Sequence, residues 1–103
     1  MRLLQSAFLL AATGLLCATP PAAAMDRDEA ARVRTAVARG QILPLPRILA
    51  IARARVPGSM LEVELDQRGR RLVYEVKILT RSGRVVEIAI NARNGRILSV
   101  EDD

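Results

Sequence analysis

From Met60 to Val100 the chain alternates apolar and polar residues with a period of two, and glycine-bearing turns interrupt the pattern. Met60 to Gln67 sets Leu61, Val63 and Leu65 on one side against Glu62, Glu64 and Asp66 on the other. Arg71 to Thr80 sets Leu72, Tyr74, Val76 and Ile78 against Val73, Glu75, Lys77 and Leu79. Val85 to Ile90 repeats this, with Val86, Ile88 and Ile90 against Val85, Glu87 and Ala89. Successive side chains of a strand point to opposite faces, so each run reads as a strand with one buried side. Gln67-Arg68-Gly69-Arg70 and Arg81-Ser82-Gly83-Arg84 supply hairpin turns, and Asn94-Gly95 leads into a last short strand, Ile97 to Val100. Tight turns between consecutive strands join antiparallel neighbours, which predicts a meander sheet of three to four strands with one dry and one wet face.

A sheet with one apolar face needs a cover, and the residues before Gly58 supply it. Asp26 to Arg39 reads as a helix with Asp26, Asp28 and Glu29 in its first turn, where acids suit the positive end of the helix dipole, and with Arg39-Gly40 closing it. Ala30, Val33, Ala36 and Val37 give it a narrow stripe of small apolar side chains. Gln41 to Leu45 is a linker carrying Ile42, Leu43 and Leu45, because Pro44 and Pro46 disfavour helix through it. A second helix runs from Pro46 to Val56, with Ile48, Leu49, Ala52 and Val56 on one side and Arg47, Arg53 and Arg55 toward water; Pro57-Gly58 stops it. The expected fold is α+β, two N-terminal helices packed on one face of an antiparallel meander sheet.

The first 24 residues have a different character. Arg2 makes a short basic start, Leu3 to Leu16 is apolar apart from Gln5, Ser6, Thr13 and Gly14, and Ala22-Ala23-Ala24 offers small residues where a signal peptidase reads. This predicts a secretory signal over residues 1–24, removed near Ala24, since its apolar run is well short of the about 20 residues that span a bilayer. Leu16 ahead of Cys17 does not fit a lipoprotein acylation site. Removal takes away the one cysteine and Phe8, so residues 25–103 have no thiol, no disulfide and no integral membrane span. A chain this small without disulfides has a thin core, and a homodimer would strengthen it.

Charge divides unevenly: Asp26 to Gly58 holds seven arginines against three acids, whereas Ser59 to Asp103 balances eight basic residues with eight acids. The chain contains no histidine and no tryptophan, which excludes a histidine-based triad and a histidine-ligated metal site. Ser59, Ser82 and Ser99 stand singly with no base beside them in sequence, so no catalytic residue, metal ligand or cofactor site is assigned. Glu62, Glu64 and Asp66, with Glu75 and Glu87 on neighbouring strands, form an acidic face of the kind that holds a divalent cation. Lys77 shares that face and Arg68, Arg70 and Arg71 crowd its end, which makes cross-strand ion pairing the cheaper reading. Tyr74 falls in phase with the buried side.

The block from Ile48 to Glu101 resembles a PepSY domain. The resemblance lies in a helix followed by Val-Pro-Gly (56–58), Leu-Glu-Val-Glu-Leu (61–65), Val-Tyr-Glu-Val-Lys (73–77), Ser-Gly-Arg-Val-Val-Glu (82–87) and Ile-Asn-Ala-Arg-Asn-Gly-Arg-Ile-Leu (90–98). Arg-Gly-Gln-Ile-Leu-Pro-Leu (39–45) is similar to the lead-in of small exported PepSY proteins of proteobacteria. Where such domains usually carry Asp-Ala-x-Thr-Gly this chain has Asn91-Ala92-Arg93-Asn94-Gly95, and asparagine keeps the same turn chemistry. The organisation expected is a signal at 1–24, an N-terminal helix and linker at 25–45 and a PepSY-like domain at 46–103.

What the resemblance implies is a non-enzymatic module, periplasmic or secreted, that modulates or inhibits a peptidase or a signalling ectodomain. Glu62, Glu64, Glu75, Lys77 and Glu87 are the candidate partner-binding residues. The alternative is an envelope protein that holds an anionic ligand or surface through Arg47, Arg53 and Arg55. Nucleic acid is not expected as a partner, given the export signal and the single aromatic residue left in 25–103.

Overall fold

The computed structural model describes residues 25–103; the signal segment expected over 1–24 lies outside the described residues. Its elements in chain order are α1 (Arg27–Ala38), α2 (Leu45–Arg55), β1 (Ser59–Arg68), β2 (Arg71–Leu79), β3 (Val85–Asn91) and β4 (Ile97–Asp102).

The Asp26 side chain caps α1 by accepting from the Asp28 N–H at 3.0 Å, and Asp28 and Glu29 complement the dipole in the first turn. The helix closes where the Arg39 N–H returns to the Thr35 carbonyl. Its buried residues are Val33 and Ala36. Extended Pro44 precedes α2, which starts at Leu45, one residue before the start read from sequence, with Pro46 in its first turn where a missing N–H costs no helical bond. Ile48, Leu49 and Ala52 point inward from α2.

The four strands form one antiparallel sheet in the order β1-β2-β3-β4, the meander that the turns predict. Val63 of β1, Tyr74, Val76 and Ile78 of β2, and Val86, Ile88 and Ile90 of β3 join Ile48, Leu49 and Ala52 of α2 in one apolar cluster, with Ile97 and Val100 of β4 packed against it. The linker is tied to this layer. The Leu43 N–H donates to the Ala92 carbonyl and the Ala92 N–H to the Leu72 carbonyl, while the Tyr74 hydroxyl donates to the Leu43 carbonyl at 3.1 Å. The turn at 91–96 passes so close beneath the helical layer that a side chain at Gly95 would press on Ile51 and Leu43.

One position departs from simple alternation. Met60 pairs with Ile78 but Glu62 pairs with Lys77, so Leu61 is the extra residue of a β-bulge. The bulge inverts the parity of everything before it: Met60 packs against the core and Leu61, expected inside with Val63 and Leu65, is 46% exposed. A second register shift on β4 leaves Leu98 as an extra residue, and β4 continues past Val100 to Asp102.

Glu29 of α1 reaches the sheet as well. Its Oε1 accepts the Leu65 N–H at 2.7 Å. Leu65 lies on edge strand β1, so a helix side chain satisfies a donor that an edge strand otherwise presents to other chains.

Candidate functional site

The face of the sheet away from the helices carries every sheet residue singled out for binding. The register places Glu62, Lys77 and Glu87 in one cross-strand row that continues to Glu101, and Glu64 and Glu75 in the adjacent row, which continues through Ala89 to Ser99. The five candidates therefore occupy two neighbouring rows. Each lies there because it alternates with a core residue: Glu62 and Glu64 flank Val63, Glu75 and Lys77 flank Val76, and Glu87 lies between Val86 and Ile88.

Ion pairs organise part of this surface. Lys77 Nζ lies 3.5 Å from Asp103 Oδ2 and 3.9 Å from Glu62 Oε2. The field of Asp103, then that of Glu62, raises the Lys77 pKa. The Arg68 guanidinium bonds the Glu75 carboxylate and also approaches Asp66 at 3.5 Å. Glu64 has no such partner among the described residues. Its contact with the Glu62 carboxyl, some burial, and the negative fields of Glu62, Glu29 and Glu75 push its pKa up. Among the described residues no group of three or more acidic, histidine or cysteine side chains converges to hold a metal ion.

At the hairpin end of the same face the charge changes sign. Arg68, Arg70, Arg71 and Arg93 line a hollow of about 720 Å³ together with Val73, Asn91, Leu98, Ser99 and Glu101. Val73 alternates with core residues yet has no solvent exposure and is absent from the helix-side cluster, so it is covered by the long side chains around this hollow. In the sequence reading Arg68, Arg70 and Arg71 are turn and strand residues and neighbours of the acids, and Arg93 is part of a turn; none of the four is a binding candidate there. The 91–96 turn returns Arg93 beside the 68–71 hairpin because β2 and β3 pair Val73 with Asn91. That neighbourhood follows from the meander, which puts the first and third turns at one end, and from the strand register, to which no local sequence pattern points.

The helix arginines are arranged differently. Arg47, Arg53 and Arg55 are all exposed. At about 100° per residue, Arg53 lies about 160° around the helix from Arg55 and about 120° from Arg47. Arg53 sides with α1, where it lines an open apolar groove of about 590 Å³ between the helices with Arg34, Val33, Val37, Leu45 and Leu49. The three arginines do not make one patch. No helix among the described residues is long and apolar enough to cross a membrane.

The family model of the PepSY domain, described as the peptidase propeptide and YPEB domain, matches residues 42–101. No curated protein and no solved structure matches the chain.

Proposed function

The chain belongs to the PepSY family, a family of propeptide and inhibitor-type modules, and from that premise we propose that it is an exported, non-enzymatic protein that modulates or inhibits a partner, a peptidase or a signalling ectodomain, by docking its open sheet face. The observation that carries the reading is the sheet itself. One side is closed by two helices, while the other presents Glu62, Glu64, Glu75, Lys77 and Glu87 in two rows with nothing packed over them among the described residues. Such a face inhibits by occupying or occluding a cleft and requires no reacting group. Export rests on the signal pattern of residues 1–24.

The test is titration of the protein against exported metallopeptidases with a chromogenic peptide substrate, alongside capture of sensor ectodomains. A triple reversal, Glu62→Lys, Glu64→Lys and Glu87→Lys, is expected to abolish the interaction and leave the fold intact. Unchanged peptidase activity at high micromolar protein, together with no ectodomain captured, overturns the reading.

A further inference from the structure

We propose that the arginine-lined hollow at the hairpin end of the open face is a subsite for an acidic segment of a partner polypeptide, whose carboxylates are read by Arg70, Arg71 and Arg93. This rests on the docking reading of the face and narrows it to partners that bring carboxylates to that end.

The chemistry of the hollow selects the ligand. Arg68 is already committed to Glu75 and Asp66, whereas Arg70, Arg71 and Arg93 make no ion pair among the described residues. Guanidinium groups offer paired N–H donors that match a carboxylate in bidentate fashion. The turn bearing Arg93 is held in shape: Asn91 Oδ1 accepts the Arg93 N–H at 2.9 Å, and Asn94 Oδ1 accepts the Arg96 N–H at 2.9 Å. Leu72, Val73 and Leu98 give the hollow an apolar lining, which suits the hydrocarbon side chain next to a carboxylate in a peptide. One acid, Glu101, shares the rim with the three uncommitted arginines, leaving a positive balance.

Charge on the rest of the face argues for a peptide over an anionic membrane. Glu62, Glu64 and Glu87 lie in the adjoining rows and repel an extended negative plane, whereas a peptide places its carboxylates at one end and reverses sign within two residues.

The full-length protein is titrated by fluorescence anisotropy with a labelled Glu-Leu-Glu-Leu-Glu peptide and with its Gln-Leu counterpart. Phosphatidylglycerol vesicles are assayed by co-sedimentation. The acidic peptide is expected to bind at least about tenfold more tightly than the Gln peptide, and the Arg71→Gln/Arg93→Gln double variant to lose about tenfold, because hydrogen bonds to charged groups are removed. Arg81→Gln, in the exposed turn between β2 and β3 at the opposite end of the sheet, is expected to change nothing. Equal binding of the two peptides, undiminished binding by the double variant, or vesicle capture without peptide binding overturns the proposal. If circular dichroism shows the double variant unfolded, Arg70→Gln in the exposed turn carries the same comparison. The Glu62→Lys/Glu64→Lys pair separates the two readings: it leaves this peptide bound while removing the docking described above, so each fails on its own evidence.

Discussion

Along β2, Tyr74, Val76 and Ile78 have no solvent exposure and share one apolar cluster with Ile48, Val63 and Ile88, whereas Glu75 and Lys77, each one residue away, lie half-buried on the other face in ion pairs with Arg68, Glu62 and Asp103. The same backbone serves both sides, so the contrast isolates what side chains contribute. Burial of apolar area is large and non-directional, and it determines which way the strand faces. Solvated ion pairs contribute little to stability, so stability constrains the side chains of the open face far less than those of the buried one.

The most severe test of that division sets two neighbours on β3 against each other. Ile88→Ala removes a fully buried side chain from the centre of the cluster and is expected to cost about 2–5 kcal/mol in urea unfolding, enough to unfold much of a chain this small. Glu87→Ala, one residue before it on the open face, is expected to stay within about 0.5 kcal/mol of the parent. Similar losses at the two positions would break the comparison.

A smaller effect probes the one place among the described residues where a polar side chain of the helical layer supports the sheet. Glu29→Ala leaves the part-buried Leu65 N–H without its acceptor and is expected to cost about 1–3 kcal/mol. Glu29→Gln keeps an amide oxygen at that position and should recover most of the loss, which separates hydrogen bonding from charge. If glutamine proves as damaging as alanine, the contribution lies in the charge.

Tyr74 carries a polar atom into the dry side. Tyr74→Phe deletes the bond to the Leu43 carbonyl, at a cost of about 1 kcal/mol near neutral pH. Burial pushes the phenol up to about 12. A phenol that keeps its proton longer in the folded state than in the unfolded chain makes stability fall as pH climbs from about 10 toward about 12, by up to about 1.4 kcal/mol per pH unit. The difference in stability between Tyr74→Phe and the parent is therefore expected to shrink and then reverse sign over that interval. A difference that stays constant up to pH 12 would show the phenol reaching water.

These contrasts also explain what could be read before the structure. The strands and their buried faces were legible wherever apolar residues alternate without interruption, as at Tyr74, Val76 and Ile78, because a period of two specifies a face directly. Leu61 misled because a bulge changes the count by one and leaves no mark in composition; the departure is visible only in the pairing of Met60 and Glu62 with adjacent residues of β2. The row of Glu62, Lys77 and Glu87 could be anticipated from alternation plus short turns, since a meander brings like-facing residues side by side. The meander also puts the first and third turns at one end, but the hollow that Arg70, Arg71 and Arg93 line depends on the β2 and β3 register; the spread of Arg53 from Arg47 and Arg55 follows from helical periodicity, and only its place beside α1 needed the structure.

The finest test falls on Glu64, which among the described residues lacks the basic partners that Glu62 and Glu75 have. Its carboxyl takes up a proton more readily in the folded state than in the unfolded chain, owing first to its contact with Glu62, then to burial and the surrounding acids. A carboxylate with a raised folded pKa favours the fold at pH values below its unfolded pKa, and this advantage is lost as pH rises through the folded value. Near neutrality Glu64→Gln is accordingly expected to be as stable as the parent or better, by a few tenths of a kcal/mol (about 0.3) once solvent screening is counted, and the gain should vanish at about pH 3, where the unfolded carboxyl is protonated as well. Urea midpoints of parent and variant at pH 3 and pH 7 measure this. A parent more stable than Glu64→Gln at pH 7 would mean that Glu64 has a cationic partner, and the open face would then be a set of satisfied ion pairs and no longer a surface carrying unspent negative charge for a partner to meet.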